Sequence, residues 1–402
     1  MATTEGGAHP GRALNGSMVS MLALVILVGM GEKMAERFLP LYILALGGGA
    51  WAVGLLNSMD NMLSALYSFP GGWLADRLGH KKSLQLFTAV AMLGYLVVIL
   101  VPAWQAVLVG SVFFISWTAV SLPAIMSLVS AAVPREKRSY GVSLHSFFRR
   151  IPMALGPVVG GALIAAYGRV DGLRVAFGAA LLMGFVALLM VRRFMADDPP
   201  VAREEAGRRV GLRGLFSPAL RNLLASDILI RFAEQIPYAF VVVWVVDGNG
   251  ITPLQFGLLT TVEMVTAMLV YIPVARMADR YGKKRFVLMT FGFFTAFPLI
   301  LLFSRSFPLL VVAFIVRGLK KFGEPTRKAL IMDLAPETAK ARTFGAYYLL
   351  RDVVVSVAAL SSALLWNISP AANFLTATAF GLAGTLLFAL RGRDVEPAAA
   401  GS

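Results

Sequence analysis

Residues 54–82 read GLLNSMDNMLSALYSFPGGWLADRLGHKK, and residues 257–285 read GLLTTVEMVTAMLVYIPVARMADRYGKKR. The two align without a gap. Gly54, Leu55 and Leu56 stand against Gly257, Leu258 and Leu259, Asp60 against Glu263 and Pro70 against Pro273; Ala75, Asp76, Arg77, Gly79 and Lys81 stand against Ala278, Asp279, Arg280, Gly282 and Lys284. Self-similarity of this kind marks a repeated structural unit. After a one-residue shift in the preceding loop, Glu32 falls opposite Glu234 and Tyr42 opposite Trp244. Further on, Pro123 and Pro134 pair with Pro325 and Pro336, and Arg138 and Gly141 with Arg342 and Gly345.

The chain around this repeat is too apolar for a soluble globule. Of its 402 residues 58% are hydrophobic and 15% charged, which leaves too little polar surface to cover a water-exposed fold of that size. A helix needs about 20 apolar residues to cross a hydrocarbon core of roughly 30 Å. Runs of that length lie near 18–46, 51–75, 83–103, 105–132, 139–167, 173–194, 219–247, 253–275, 285–304, 307–335, 343–366 and 369–390. Long period-two alternation is absent, so an outer-membrane barrel is disfavoured, and backbone hydrogen bonding in lipid then requires helices. The expected fold is an all-α integral membrane protein of twelve spans. It divides into a tail at 1–17, a six-helix bundle at 18–194, a linker at 195–218, a second six-helix bundle at 219–390 and a tail at 391–402. Each half has an even number of spans, so both have the same orientation and are related by an axis along the membrane normal. The first run carries Glu32, Glu36 and Arg37 and no cleavage pattern follows it, so it reads as a span and not as a signal peptide.

The formal charge of +15 records topology. Most of the 37 Lys and Arg lie in alternate loops and in the two tails, whereas the opposite loops hold only Arg169, Arg174 and Arg305. Basic loops stay on the cytoplasmic side, which puts both termini and the linker in the cytoplasm of a bacterial-type inner membrane. A nucleic-acid partner is not expected. With no cysteine, neither disulfide nor thiolate metal site is available, and His9, His80 and His145 lack ligand spacing. There is no Walker-type phosphate loop, so an ion gradient is the natural energy source, and no cofactor is expected.

The segment from Gly72 to Lys82, with Asp76, Arg77, Gly79 and Lys81, resembles the loop 2–3 motif of the major facilitator superfamily, and residues 275–285 repeat it. Span count, the six-plus-six repeat and the doubled motif extend the resemblance over nearly the whole chain. It implies a transporter, not an enzyme, monomeric by default, with helices 1, 4, 7 and 10 around a central cavity. It also implies that Asp76 and Arg77, with Arg138, Asp279, Arg280 and Arg342, form a cytoplasmic gate. The run from Leu155 to Gly161, with Gly156, Pro157, Gly160 and Gly161, resembles the core of the superfamily's antiporter motif, although Pro152 and Ser143 stand near the places of its upstream glycines.

Charges inside spans carry the functional reading, because each costs ~2.5 kcal/mol or more at the bilayer centre unless it meets water or a partner. Acids recur at equivalent places in the halves: Glu32 with Glu234, and Asp60 with Glu263. Burial disfavours a carboxylate's charged form, which suits such groups to carrying protons. Glu36, Arg37, Trp117, Arg149, Arg231, Lys320, Lys321, Glu324 and Arg351 are the candidate cavity residues; the alternative is that such groups form permanent ion pairs, Arg231 with Glu234 three residues apart, Lys320 with Glu324 four apart, and Arg351 with Asp352 across helices. Arg327, Lys328 and Asp333 read as snorkelling groups at the cytoplasmic mouth. The expected activity is proton-coupled export of a small amphipathic or charged molecule by alternating access. Uptake of an anionic metabolite, lysolipid flipping and a receptor without transport remain as alternatives.

Overall fold

The structure, a computed structural model, describes residues 10–115, 117, 121, 125, 138–195, 216–336 and 340–393. Among these every regular element is helical. In chain order they are α1 (Pro10–Glu36), α2 (Leu39–Ala45), α3 (Ala50–Leu78), α4 (His80–Leu100), α5 (Trp104–Phe114), α6 (Arg138–Tyr167), α7 (Arg169–Phe194), α8 (Pro218–Tyr238), α9 (Phe240–Val243), which runs on as a π-turn at Trp244–Gly248, α10 (Pro253–Tyr281), α11 (Lys283–Phe303), α12 (Phe307–Leu319), α13 (Glu324–Leu334), α14 (Lys340–Ile368) and α15 (Pro370–Arg391). Most of the expected linker, both ends of the chain, Pro123 and Pro134 lie outside the described residues.

Among the described residues seven helices are long and apolar enough to cross a bilayer, and α8 with α9 makes an eighth bent by 42°. Pro237, in the last turn of α8, has no amide hydrogen to give and its ring crowds the carbonyl four residues back, which accounts for the bend. In sequence order the twelve runs fall on α1 with α2, α3, α4, α5, α6, α7, α8 with α9, α10, α11, α12 with α13, α14, and α15.

Two further breaks have the same cause. Pro40 stands four residues after Glu36, the last residue of α1, and Pro325 stands four residues after Lys321, just past the end of α12. In each case the proline ring opposes the carbonyl at i−4 and the helix stops there, restarting as α2 and α13. Turns between spans use glycine with positive φ. Gly79 (φ 80°) and Gly282 (φ 93°), the paired glycines of the repeat, reverse the chain between α3 and α4 and between α10 and α11 in a conformation that a Cβ would strain.

The chain separates into two compact units, with divisions after Leu39, inside α3 after Ala65, and after Glu204. The first holds α1, the part of α3 from Leu66 onward, and α4 to α7. In it α1 packs on α6 and α7, and α4 on α5 and α7, around the ring cluster of Tyr95, Phe114 and Phe177, whose centroids lie 5.1–5.8 Å apart. The second holds Pro40–Ala65 and α8 to α15. Its core joins Leu223, Ile230, Phe291, Leu330, Tyr347 and Phe388, and within it Asn57 Nδ2 donates to the Gln235 carbonyl at 2.9 Å. Large apolar side chains such as Leu100, Leu269, Ile368 and Leu390 face outward. Such surfaces suit hydrocarbon, where close packing of small residues holds helices together in place of a hydrophobic drive.

Candidate functional site

In the first unit the site is built where α1 meets α6. Gly156 and Gly160 of α6 lie against the α1 backbone: a Cβ at Gly156 would fall 2.7 Å from Lys33 Cβ, and one at Gly160 would collide with the Met34 carbonyl. This approach sets the last turn of α1 beside Pro152, Met153 and Arg149. Glu32, only 4% exposed, accepts from Lys33 Nζ at 2.9 Å, and the same ammonium also holds Glu36. One cation therefore sits between two carboxylates. Glu32, Lys33 and Arg149 line a small cleft whose other walls include Val25, Trp117 and Ile125. Trp117 is buried and its indole N–H points at Thr88 Oγ1, 3.4 Å away. Arg37, in the break after α1, and Asp60, on α3, are both half-buried and both engage other groups.

In the second unit the break after α12 distributes the cations. Gly318 lets α12 close on α10, since a Cβ there would lie 2.7 Å from Thr266 Cβ. Arg317 Nε then lies 3.4 Å and Lys321 Nζ 3.3 Å from the carboxylate of Glu263, which is 1% exposed. Lys320, in the same turn, points elsewhere. Its Nζ is 2.9 Å from Glu234 Oε1 and 4.8 Å and 5.3 Å from the ring centroids of Phe294 and Phe297, while Arg231 holds the other oxygen of Glu234. An ammonium in this position is held by a carboxylate on one side and by ring faces on the other.

The expected pairing of Lys320 with Glu324 is not made. Residues 320–323 are a turn and not a helix, so the register of one helical face does not reach across it; Glu324 pairs instead with Lys328 at 2.8 Å, each about half exposed. Arg327 is not a snorkelling group either. It is buried and binds Asp227 Oδ1 at 2.8 Å. Asp227, with no exposed surface, also accepts from the Tyr347 hydroxyl at 3.1 Å and lies 3.4 Å from Arg351, which in turn pairs with Asp352 at 2.7 Å. Asp227 is the residue that sequence reading missed. It stands four positions before Arg231 in an otherwise apolar run, and that signal was there to be read.

Of the gate residues, Arg77 and Arg280 are exposed at the ends of α3 and α10. The side chains of Asp76, Arg138, Asp279 and Arg342 lie outside the described residues, as does that of Ser143. Near the end of α10, Lys283 and Asp333 form a salt bridge that ties α11 to α13.

Broken helices whose breaks carry buried charge fit a membrane carrier, in which irregular backbone is tolerated where it is enclosed by protein or lines a water-filled path. Two stretches, residues 21–233 and 223–402, match the Major Facilitator Superfamily. This chain is a member of that superfamily. Curated relatives include the multidrug resistance protein MdtG of Enterobacter lignolyticus, 27% identical over 65% of this chain and 64% of that protein. The multi-drug resistance efflux pump PmrA homolog of Lactococcus lactis is 25% identical over 79% of this chain and 80% of the relative. The matched stretch thus spans just under two thirds of that MdtG. Among solved structures, the nucleoside transporter NupG superposes with a TM-score of 0.78 at 13% identity, over 94% of this chain and all of that one. The bacterial Spinster homologue in its inward-facing, unoccupied form superposes with a TM-score of 0.72 at 13% identity, over 96% of both chains. At such identities the superpositions speak for the fold alone. The superfamily member is thus a multi-pass membrane transporter with multidrug-efflux relatives.

Proposed function

We propose that this transporter exports a small amphipathic or charged molecule in exchange for protons. It works by alternating access of the bundles at 18–194 and 219–390, joined by the linker at 195–218. It functions as a monomer in a bacterial-type inner membrane with both termini cytoplasmic. The observation that carries this reading is Glu32: a buried carboxylate on the wall of an otherwise largely apolar cleft, sharing one ammonium with Glu36. When Glu32 takes up a proton, Lys33 keeps Glu36 as counter-charge, so the change of protonation leaves no buried cation alone. A cationic or amphipathic cargo resting against Trp117 and a proton on Glu32 then compete for one site, and that competition is what exchange requires. Glu234, held by Arg231 and Lys320, is its counterpart in the second half, with Asp60 and Glu263 as the second pair. Asp76, Arg77, Arg138, Asp279, Arg280 and Arg342 hold the cytoplasmic gate. The names of the MdtG and PmrA relatives support export of drug-like molecules.

A second reading, uptake of an anionic metabolite, draws on the excess of Arg231, Arg317, Lys320 and Lys321 over Glu234 and Glu263. Proteoliposomes carrying a pH-sensitive dye, challenged with cationic drugs, organic anions and lysolipids, separate the two. Wild type is expected to move protons in response to cationic drugs, and Glu32→Gln to bind drug without moving them. Proton movement in Glu32→Gln and Glu234→Gln equal to wild type with every solute would remove the proton-carrier assignment. A response to organic anions alone would favour uptake.

A further inference from the structure

Helices α4 and α7 pack side by side in opposite directions, and where α4 begins and α7 ends they leave an open groove. Its lining changes character along its length. Lys81, Lys82 and Arg192 stand at the end beside the Gly79 turn, and Leu86, Phe185 and Leu189 follow one to two turns deeper. Lys82 and Arg192 are exposed, as are the three apolar side chains. Among the described residues no acidic side chain lines the groove.

The cations of α4 are also at the unfavourable end of their helix. The N-terminus of a helix carries partial positive charge and unbonded amide groups, and acids are the usual residues there. The first turn of α4 has no acid, and Gly79 provides no side-chain cap. The groove at α4 has a cationic rim, helix-end amides and an apolar floor open to the hydrocarbon. An anion attached to an acyl chain complements all three.

The geometry points to a binding site for one anionic glycerophospholipid, its phosphodiester at Lys81, Lys82 and Arg192 and an acyl chain along Leu86, Phe185 and Leu189. The lipid belongs to the leaflet at the Gly79 turn, which is the cytoplasmic one in the orientation proposed above. Three cations close to an anionic headgroup correspond to roughly a hundredfold in affinity. The site depends on neither the direction of transport nor proton coupling.

The test is native mass spectrometry of the full chain in detergent, titrated with phosphatidylglycerol, with phosphatidylcholine of the same acyl chains, and with glycerol phosphate. Wild type is expected to retain phosphatidylglycerol at about a hundredth of the concentration needed for phosphatidylcholine, and glycerol phosphate is expected not to compete. The triple variant Lys81→Gln, Lys82→Gln, Arg192→Gln is expected to lose the preference. A control triple at Lys284, Arg285 and Arg391 is expected to keep it. Arg192→Gln alone, at an exposed helix end, serves if the triple does not fold, and is expected to lose part of the preference. Equal retention of the two lipids by wild type, or an unchanged preference in the folded variant, would overturn the site. Competition by glycerol phosphate as strong as that by the lipid would show a free-phosphate site and overturn the lipid assignment. Because the readout is lipid retention, a failed transport assay on the same protein leaves this result standing.

Discussion

Replacing Asp227 by asparagine is expected to lower the thermal midpoint of the detergent-solubilised protein by on the order of 10 °C. Asp227 has no exposed surface and receives Arg327 at 2.8 Å, the Tyr347 hydroxyl at 3.1 Å and Arg351 at 3.4 Å. Asparagine preserves shape and can still accept from Tyr347, so the perturbation is almost purely one of charge. Arg351 retains Asp352, and the loss therefore falls on Arg327. Removing one partner of a buried ion pair costs about 3–5 kcal/mol because the other charge is left without compensation. At roughly 2–4 °C per kcal/mol for a folding unit of 150–250 residues, a loss of about 3 kcal/mol corresponds to about 6–12 °C. The double variant Asp227→Asn, Arg327→Gln removes both charges and leaves two amides able to bond, so it is expected to recover most of the loss, with a coupling energy of about 2 kcal/mol in the cycle. Intrinsic fluorescence during a thermal ramp, checked by size exclusion, reads all four proteins. A midpoint for Asp227→Asn within about 2 °C of wild type, or a double variant no better than the sum of the singles, would mean that water reaches these groups and that the calculation is wrong.

The pair of Lys328 and Glu324 is the contrasting case: it is half exposed, so Lys328→Ala is expected to change stability by less than about 0.5 kcal/mol in the same ramp. Gly160→Ala forces a methyl group into the Met34 carbonyl and is expected to cost about 1–3 kcal/mol and to reduce transport through displacement of Glu32. Gly178→Ala, with nothing within 4 Å of the new methyl, is expected to be neutral or stabilising by up to about 1 kcal/mol. Asn373, fully buried, donates to the carbonyls of Ser362 at 3.1 Å and Ile236 at 3.3 Å, and Asn373→Ala is expected to cost about 1 kcal/mol, read as a lower midpoint with an unchanged proton response in proteoliposomes.

How far the site could be read in the sequence depended on the range of the interaction. The contact of Gly156 and Gly160 with the α1 backbone was foreshadowed by a small-residue motif, since small residues at helical spacing have few other uses in a membrane. The matched acids Glu32 and Glu234, and Asp60 and Glu263, were visible because a carboxylate in an apolar run is costly and two such runs repeat. Of their partners, the sequence offered only the local one, Arg231 three residues before Glu234, which the structure bears out. Spacing along a presumed continuous helix suggested Lys320 with Glu324, and it failed because the helix before Pro325 ends at Leu319 and residues 320–323 are a turn. The same proline was in plain view, so the break itself was legible and its consequence for the two lysines was not. Asp227 was passed over because its importance lies in what surrounds it and not in its place in a pattern.

What the sequence determined by itself is whatever the bilayer dictates locally: helices where apolar runs reach membrane thickness, reversals at Gly79 and Gly282, breaks at proline, and two like halves from a repeated stretch. Those features depend on hydropathy and backbone stereochemistry within a few turns of chain. The tertiary structure alone decided which buried charge meets which: Lys320 reaches Glu234 over 86 residues, Arg327 reaches Asp227 over 100, and Arg351 reaches it over 124. Several cations could have satisfied each acid on paper, and the packing of separate helices, set by small residues and proline breaks far from the charges themselves, selects which of the distant ones do.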